Sequence, residues 1–331
     1  NKLQTFTYSS GDKFDETKYA KAVVKKLDFE LNIRTQDNTA KYYINRLENL
    51  VKKMGRGHSS PSIVSIDYLY QSASEKNIKV LLDGQGADEL LAGYKPVFFE
   101  LLATQLFQRK FLQVFYNFRN FLSPKDSSEN NVIEEIILFF RNILPFWARS
   151  IMRRIYGYEK LFSNVKHKEK KSRIVHEVAM HKRNPNALNR LLQKQHSNGL
   201  ENLLFYGDII AMNNSIENRS PFMDHRLVEF CFKYDEILKI YNKKEKAALK
   251  FSSHYLKFVK VLDRNKIGFD SNIKFETKNK MIRILRKSSI LSWPIFSRSF
   301  SKFLSGDLPI SEKYERLLFR AFQVHLWQKN F

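Results

Sequence analysis

The chain has 331 residues, 43% of them apolar, enough for one large domain or two medium ones with a real core. Its single cysteine, Cys231, excludes an internal disulfide framework and a cysteine metal cluster, and a reducing cytoplasmic setting fits. A net charge of +23 leaves open a phosphate-bearing partner, an anionic membrane surface, or Lys and Arg spread over solvated faces. The scatter of these residues along the chain favours the last.

In chain order, Leu3 to Tyr8 alternates and is rich in β-formers, which predicts a strand, and residues 9–13 form a polar turn. Asp15 and Glu16 open a helix, where carboxylates meet the positive end of its dipole, and Ala20, Val23, Val24 and Leu27 keep a helical period. Phe29, Leu31 and Ile33 alternate as a second strand. Ile44, Leu47, Leu50 and Val51 mark another helix, with Gly55 as its stop. After a loop at 56–61, a further helix runs to about Ser74, and residues 78–82 read as a short buried strand. Strands alternating with helices predict a parallel, doubly wound α/β sheet, which binds ligands beyond the carboxyl ends of its strands.

From Tyr94 to about Trp147 the pattern changes to long, aromatic-rich helices. Residues 132–148 are the most apolar stretch, but Glu134, Glu135 and Arg141 interrupt them, short of the roughly 18 uninterrupted residues that a membrane span needs. Residues 160–182 are basic and polar, a mobile loop or an exposed helix. The rest is mainly helical, with loops near 219–224 and 263–272. The expected division is an α/β part at 1–94 and a helical part at 95–331 that completes the site. The chain opens on Asn1 rather than Met, has no signal peptide and runs straight into a strand, the expectation for a fragment with upstream sequence removed.

Three segments carry chemistry. Asp83-Gly84-Gln85-Gly86-Ala87-Asp88-Glu89 lies between a strand and a helix. Its glycines let backbone N–H groups approach a ligand, the helix start favours an anion, and Asp88 and Glu89 beside that anion make sense with Mg²⁺ between them. It is neither a Walker loop nor a dinucleotide fingerprint, and by itself it also reads as a glycine turn capped by acids. In residues 215–224, Pro221 fixes a turn, Asp224 caps a helix from His225, and Glu217 and Arg219 form an ion pair, either lining a cleft or on the surface. In Arg264-Asn265-Lys266-Ile267-Gly268-Phe269, the lysine can reach a phosphate or a developing negative charge, or be one more solvated lysine. His176 and His181 lack metal spacing, and Cys231, in an apolar stretch, reads as a core thiol.

Together these segments resemble the synthetase domain of the glutamine-dependent asparagine synthetases. Thr5-Phe6-Thr7-Tyr8, then Phe14-Asp15-Glu16 and Tyr19-Ala20, are similar to that family's second strand and the helix start behind it. Asp83 to Tyr94 resembles its Gly-x-Gly-x-Asp-Glu-Leu-x-x-Gly-Tyr signature. Ser215 to Phe230 resembles its Ser-x-Glu-x-Arg-x-Pro-Phe-x-Asp-x-Arg-Leu-Val-Glu-Phe signature, and Arg264 to Phe269 its Arg-x-Lys-x-Gly-Phe. The motifs stand in the family's order, to about position 272.

The resemblance implies an ATP-pyrophosphatase-type fold and a reaction in which ATP adenylates the aspartate side chain, releasing pyrophosphate. Ammonia from a glutaminase domain then displaces AMP. It places Tyr8, Asp83, Gly84 and Gly86 at ATP, and Gln85, Asp88 and Glu89 at substrate and Mg²⁺–pyrophosphate, with Asp88 the metal ligand. It places Lys266 at the adenylation transition state, and Asp208, Glu217, Arg219 and Arg264 along the substrate cleft. It also implies an upstream glutaminase domain, small-molecule substrates, no specific nucleic acid and no membrane, with a homodimer as one assembly.

The chain departs from the pattern in several places. The Ser-Gly-Gly-x-Asp-Ser loop that cradles pyrophosphate after the family's first strand is absent, and Ser9-Ser10-Gly11-Asp12 falls after the second. The 331 residues alone are therefore expected to make no amide. Asp208-Ile209 stands where relatives carry Asp-Arg or Asn-Lys, and Asn272 where Pro is common. Relatives that amidate polysaccharide carboxylates, close β-lactam rings or cyclise lasso peptides remain open alternatives, as does a tRNA-modifying ATP pyrophosphatase.

Overall fold

The computed structural model describes residues 2–9, 11, 15–35, 39–58, 60–121, 187–234, 239–241, 244–252, 273–293, 298–306 and 312–331. The expectations for 132–148, 160–182, His176, His181, and the Arg264 and Lys266 loop lie outside them.

Strand β1 (Gln4–Ser9) leads through helix α1 (Thr17–Leu27) to β2 (Glu30–Thr35), and the strands pair in parallel with Gln4 opposite Glu30 and Ser9 opposite Thr35. Parallel partners need such a crossover. The turn before α1 is tied to Asp15, whose carboxylate accepts from the Ser9 hydroxyl and from the amides of Gly11 (3.1 Å) and Thr17 (2.8 Å). Burial alone would raise the pKa of Asp15, but these hydrogen bonds outweigh it and hold that pKa at about 2.

Helix α2 (Ala40–Met54) begins on Thr39, which accepts from Tyr42 N, and ends on Gly55 in the left-handed region at φ 67°. The periodic stripe predicted for it is buried: Tyr43, Ile44, Leu47, Leu50, Val51 and Met54. Helix α3 (Ser62–Glu75) precedes β3 (Val80–Leu82) and the short α4 (Ala87–Leu91). Helices α5 (Lys95–Phe107) and α6 (Phe111–Phe121) follow as the aromatic run implied.

The remainder holds α7 (Ala187–Gln195), a π turn at His196–Leu200, α8 (Glu201–Asn213), β4 (Glu217–Arg219), a 3₁₀ turn (Pro221–Met223) and α9 (His225–Lys233). The two-residue strands β5 (Ile240–Tyr241) and β6 (Lys244–Glu245) and helices α10 (Ala247–Ser252), α11 (Phe275–Leu285), α12 (Arg298–Ser305) and α13 (Glu312–Asn330) complete the described elements. Asp224 caps α9 by accepting from Arg226 N, as predicted. The segment read as a loop at 219–224 holds the 3₁₀ turn, but just ahead of it β4, not predicted, pairs in parallel with β3, Val80 opposite Glu217 and Leu82 opposite Arg219. Three polar residues, Glu217-Asn218-Arg219, gave no strand period; tertiary pairing makes them one.

The expected single doubly wound sheet is not continuous among the described residues. They form two separate parallel pairs, β1–β2 and β3–β4, and the antiparallel β5–β6 pair. The largest core cluster joins Tyr8, α2 and α3 to α8, α11, α12 and α13, so it crosses the expected division after residue 94. Two smaller clusters surround α4: one packs α5 and α7 on Ala92, the other packs Leu90 and Leu91 against Cys231. The Cys231 thiol is buried, and burial raises its pKa, as a core thiol requires.

A polar seam fastens the first part to the second. Arg46 Nε lies 2.5 Å from Asp67 Oδ2, and Asp67 Oδ1 accepts from Asn214 Nδ2 at 2.8 Å, which connects α2, α3 and the end of α8. The Arg46 guanidinium also lies over the Tyr68 ring, 3.9 Å from its centre. On the other side of α2, α13 supplies Lys329 to Glu48 (3.0 Å) and Trp327 Nε1 to the Gly55 carbonyl (2.9 Å). The Gln323 side chain accepts from His58 N (2.7 Å) and donates to His58 O.

Candidate active site

A cleft of about 1070 Å³ lies between β1 and β3. Its walls include Leu3 to Phe6 of the first pair and Val80 to Leu82 of the second, with Ile63, Ile66 and Ile210 from α3 and α8 among the apolar lining. Asp83, Gln85 and Asn218 mark its mouth at the carboxyl ends of β3 and β4, the position at which parallel strands present ligands.

Asp83 is the fixed point of that mouth. Its Oδ1 accepts from Gln85 N (3.1 Å) and Ser220 Oγ (2.6 Å), its Oδ2 from Asn218 Nδ2 (2.7 Å), and its own amide donates to Arg219 O (3.0 Å). The first two signature segments are thus joined through one carboxylate across more than 130 positions of chain, since Asn218 and Ser220 lie 135 and 137 residues away. Tyr70 stands beside this node on the cleft wall. Burial, then the charges of Asp83 and Asp208, drive its phenol well above the ordinary range, so it is a neutral donor at any physiological pH. His58 lines the same cleft. Its Nδ1 accepts from Ser60 N at 3.0 Å, and burial lowers its pKa, so the imidazole is neutral near pH 7.

The expected residues take different positions. Gln85 lines the cleft. Gly84 is exposed, and nothing lies within 4 Å of where a side chain would begin. Gly86 is buried at φ 93°, and a Cβ there would stand 2.8 Å from Met223 Sδ, so both conformation and space require glycine. Asp208 is exposed on α8, close enough to act on Tyr70. Glu217 and Arg219 form the expected pair at 2.7 Å, but their side chains are 56% and 60% exposed and neither is among the residues lining the cleft; Asn218 between them is. Tyr8 is 8% exposed, and its side chain belongs to the main core cluster rather than to the cleft lining.

Asp88 and Glu89 do not line the cleft in this arrangement. Asp88 Oδ1 lies 2.7 Å from Lys246 Nζ, and this pair covers Gly93, where a Cβ would fall 1.8 Å from Asp88 Oδ1. Glu89 is 4% exposed and accepts from the Tyr94 hydroxyl; burial and this bond push the Tyr94 phenol above its ordinary range. Among the described residues no group of three His, Cys, Asp or Glu side chains converges to hold a metal. With an ammonium already on Asp88, the described residues do not fit the expected Mg²⁺ site.

Sequence reasoning missed Tyr70 and Asn218 on the cleft wall, Ser220 on the Asp83 node, and Lys246, which holds Asp88 outside the cleft. Asn218 and Ser220 sat inside a motif already singled out, and the signal was their alternation: when Glu217 and Arg219 point outward on a strand, Asn218 points in. Lys246 had no local signal.

The sequence matches the asparagine synthase family over residues 1–308. The chain belongs to that family. It is 26% identical over 301 residues to "Asparagine synthetase [glutamine-hydrolyzing] 1" of Bacillus subtilis (strain 168), a match covering 84% of this chain and 44% of the relative. The chain thus spans less than half the length of that relative. The family match takes in both the Asp83 to Tyr94 and the Ser215 to Phe230 signatures, and α13 lies beyond it. No described helix is long and apolar enough to cross a membrane.

Proposed function

We propose that this asparagine synthase family chain supplies the synthetase half of an ATP-dependent amide-forming ligase, with the side chain of aspartate as the carboxylate. The observation that carries the reading is the Asp83 node. It joins the family's two signatures at the carboxyl ends of paired parallel strands.

In this reading a carboxylate oxygen attacks the α-phosphorus of ATP, the bond from that phosphorus to the bridging oxygen breaks, and pyrophosphate leaves. Ammonia derived from glutamine then attacks the acyl carbon, AMP departs, and the excess protons pass to solvent. Asp83, Gly84 and Gly86 hold the nucleotide at the mouth, with Tyr8 supporting β1 from the core. Gln85 orients the reacting carboxylate, and Asp208, Glu217, Arg219 and Arg264 line the approach of substrate. Neutral Tyr70 can donate a hydrogen bond without adding charge. Lys266 meets charge that develops in adenylation; a donor acting there is worth about 10²–10³ in kcat. A role for Asp88 and Glu89 toward Mg²⁺–pyrophosphate requires both carboxylates to leave Lys246 and Tyr94.

The test is aspartate-dependent exchange of labelled pyrophosphate into ATP, measured on the protein as its gene encodes it. Exchange is expected with aspartate and its loss in Asp83→Ala, with the circular dichroism of the fold retained. Exchange driven by a different carboxylate would overturn the aspartate assignment; absence of exchange with every carboxylate tried would overturn the ligase reading.

A further inference from the structure

We infer that a second cavity, next to the cleft, is a binding site for a small aromatic carboxylate. It measures about 350 Å³ and lies where α13 clamps the loop that follows α2. Among the described residues, His58 is the one that lines both cavities, so the pocket is separate from the candidate active site. Arg320, Gln323, Val324 and Trp327 of its lining belong to α13, which lies beyond residues 1–308 of the family match. None of the three signature segments contributes to it.

The walls of this pocket are fixed before any ligand arrives. Trp327 Nε1 donates to the Gly55 carbonyl (2.9 Å), the Tyr206 hydroxyl donates to the Gly57 carbonyl (3.0 Å), and the Gln323 side chain binds both the N–H and the C=O of His58. These bonds hold the loop on both sides of Arg56 and orient the indole. A surface so held loses less entropy on binding. The Arg56 guanidinium lies over the Phe205 ring, 3.9 Å from its centre. That contact covers a face of the guanidinium, while its N–H donors point outward in its own plane and remain for an acceptor. Arg56 has no ion pair among the described residues; Arg320 adds a second guanidinium, and no described lining residue is acidic. The rest of the wall includes the Trp327 indole, 39% exposed, and the half-buried Val324. Two guanidiniums with no carboxylate in the lining call for an anion. A flat indole and an aliphatic neighbour call for an apolar, planar body. The volume stands at the small end of ligand pockets, about 300–1,000 Å³, which suits one ring with a short acidic arm.

The site is tested by titrating 3-phenylpropanoate into the protein as its gene encodes it and reading the heat of binding. One-to-one binding with a Kd of about 1 mM or tighter is expected, and saturating ATP, Mg²⁺ and aspartate should not displace it. Two controls leave the protein unaltered. The neutral 3-phenylpropanamide should bind about tenfold or more weakly, for want of the charge. Hexanoate, apolar but not planar, should bind about threefold or more weakly. Arg56 is exposed, so Arg56→Gln leaves the fold intact, and it should cost about tenfold in affinity. In protein labelled with 5-fluorotryptophan, the fluorine signal of Trp327, assigned by its loss in Trp327→Phe, should move with the same midpoint. Equal binding of the acid and its amide, or of phenylpropanoate and hexanoate, would overturn the inference. So would full affinity in Arg56→Gln, an unmoved Trp327 signal, displacement by ATP and aspartate, or no saturation by about 10 mM. Pyrophosphate exchange is read in none of these titrations, so this site and the proposed function can fail separately.

Discussion

The two ends of the Asp83 to Tyr94 segment use the same residue types for opposite purposes. At Asp83-Gly84-Gln85 the acid is bound to neighbouring strands, the glycine is open, and the glutamine looks into the cleft. At Asp88-Glu89 and Gly93 the acids are held by Lys246 and Tyr94, and the glycine is covered. Acid and glycine spacing alone therefore does not separate a ligand-facing turn from a scaffold-facing one; the partners brought by distant segments do.

The largest effect should come from exchanging the two glycines of the turn. Gly86→Ala forces a left-handed alanine against Met223 and should cost about 3 kcal/mol in urea unfolding. Gly84→Ala should stay within about 0.5 kcal/mol of the parent while weakening ATP binding. Equal stability losses at the two positions would erase the contrast between the open Gly84 and the enclosed Gly86.

A smaller effect is expected at the covered end. The Asp88 and Lys246 side chains are 25% and 27% exposed, so Asp88→Asn should lower stability by only about 1 kcal/mol. If Asp88 acts only on the scaffold, Lys246→Met should match it in both stability and pyrophosphate exchange. If the carboxylate also leaves Lys246 to work at pyrophosphate, Asp88→Asn should abolish exchange while Lys246→Met retains part of it.

The smallest effect is a pH dependence remote from both ends. Burial lowers the pKa values of His58 and His325 in the folded chain, so between the folded values and 6.5 the unfolded chain binds more protons. Stability should be fully present above pH 6.5 and fall as the pH drops through that window. Urea midpoints at pH 7.5 and 5.5 should show it, and His58→Gln should flatten the slope.

Much of this was legible in the sequence, because local rules and tertiary structure agree there. The stripe of α2 and its Gly55 stop, the Asp224 cap and the buried Cys231 are all readable from period, capping and apolar context. β4 was not, since Glu217-Asn218-Arg219 becomes a strand only through pairing with β3. The direction of Asp88 was hidden for a related reason: its partner lies in a turn 158 positions later that carries no pattern of its own.

The clamp of α13 on the Gly55 to His58 loop has a consequence for the order of events during synthesis. Gln323 is 265 residues downstream of His58, and Trp327 is 272 downstream of Gly55. At about 5–20 residues per second, roughly 15–50 s pass between the emergence of α2 and that of the helix that covers it. Throughout that interval the apolar face which α2 turns to α13 stands open on the nascent chain. Contacts of such long range fold slowly, so this chain should lean heavily on chaperones that shield nascent apolar surface.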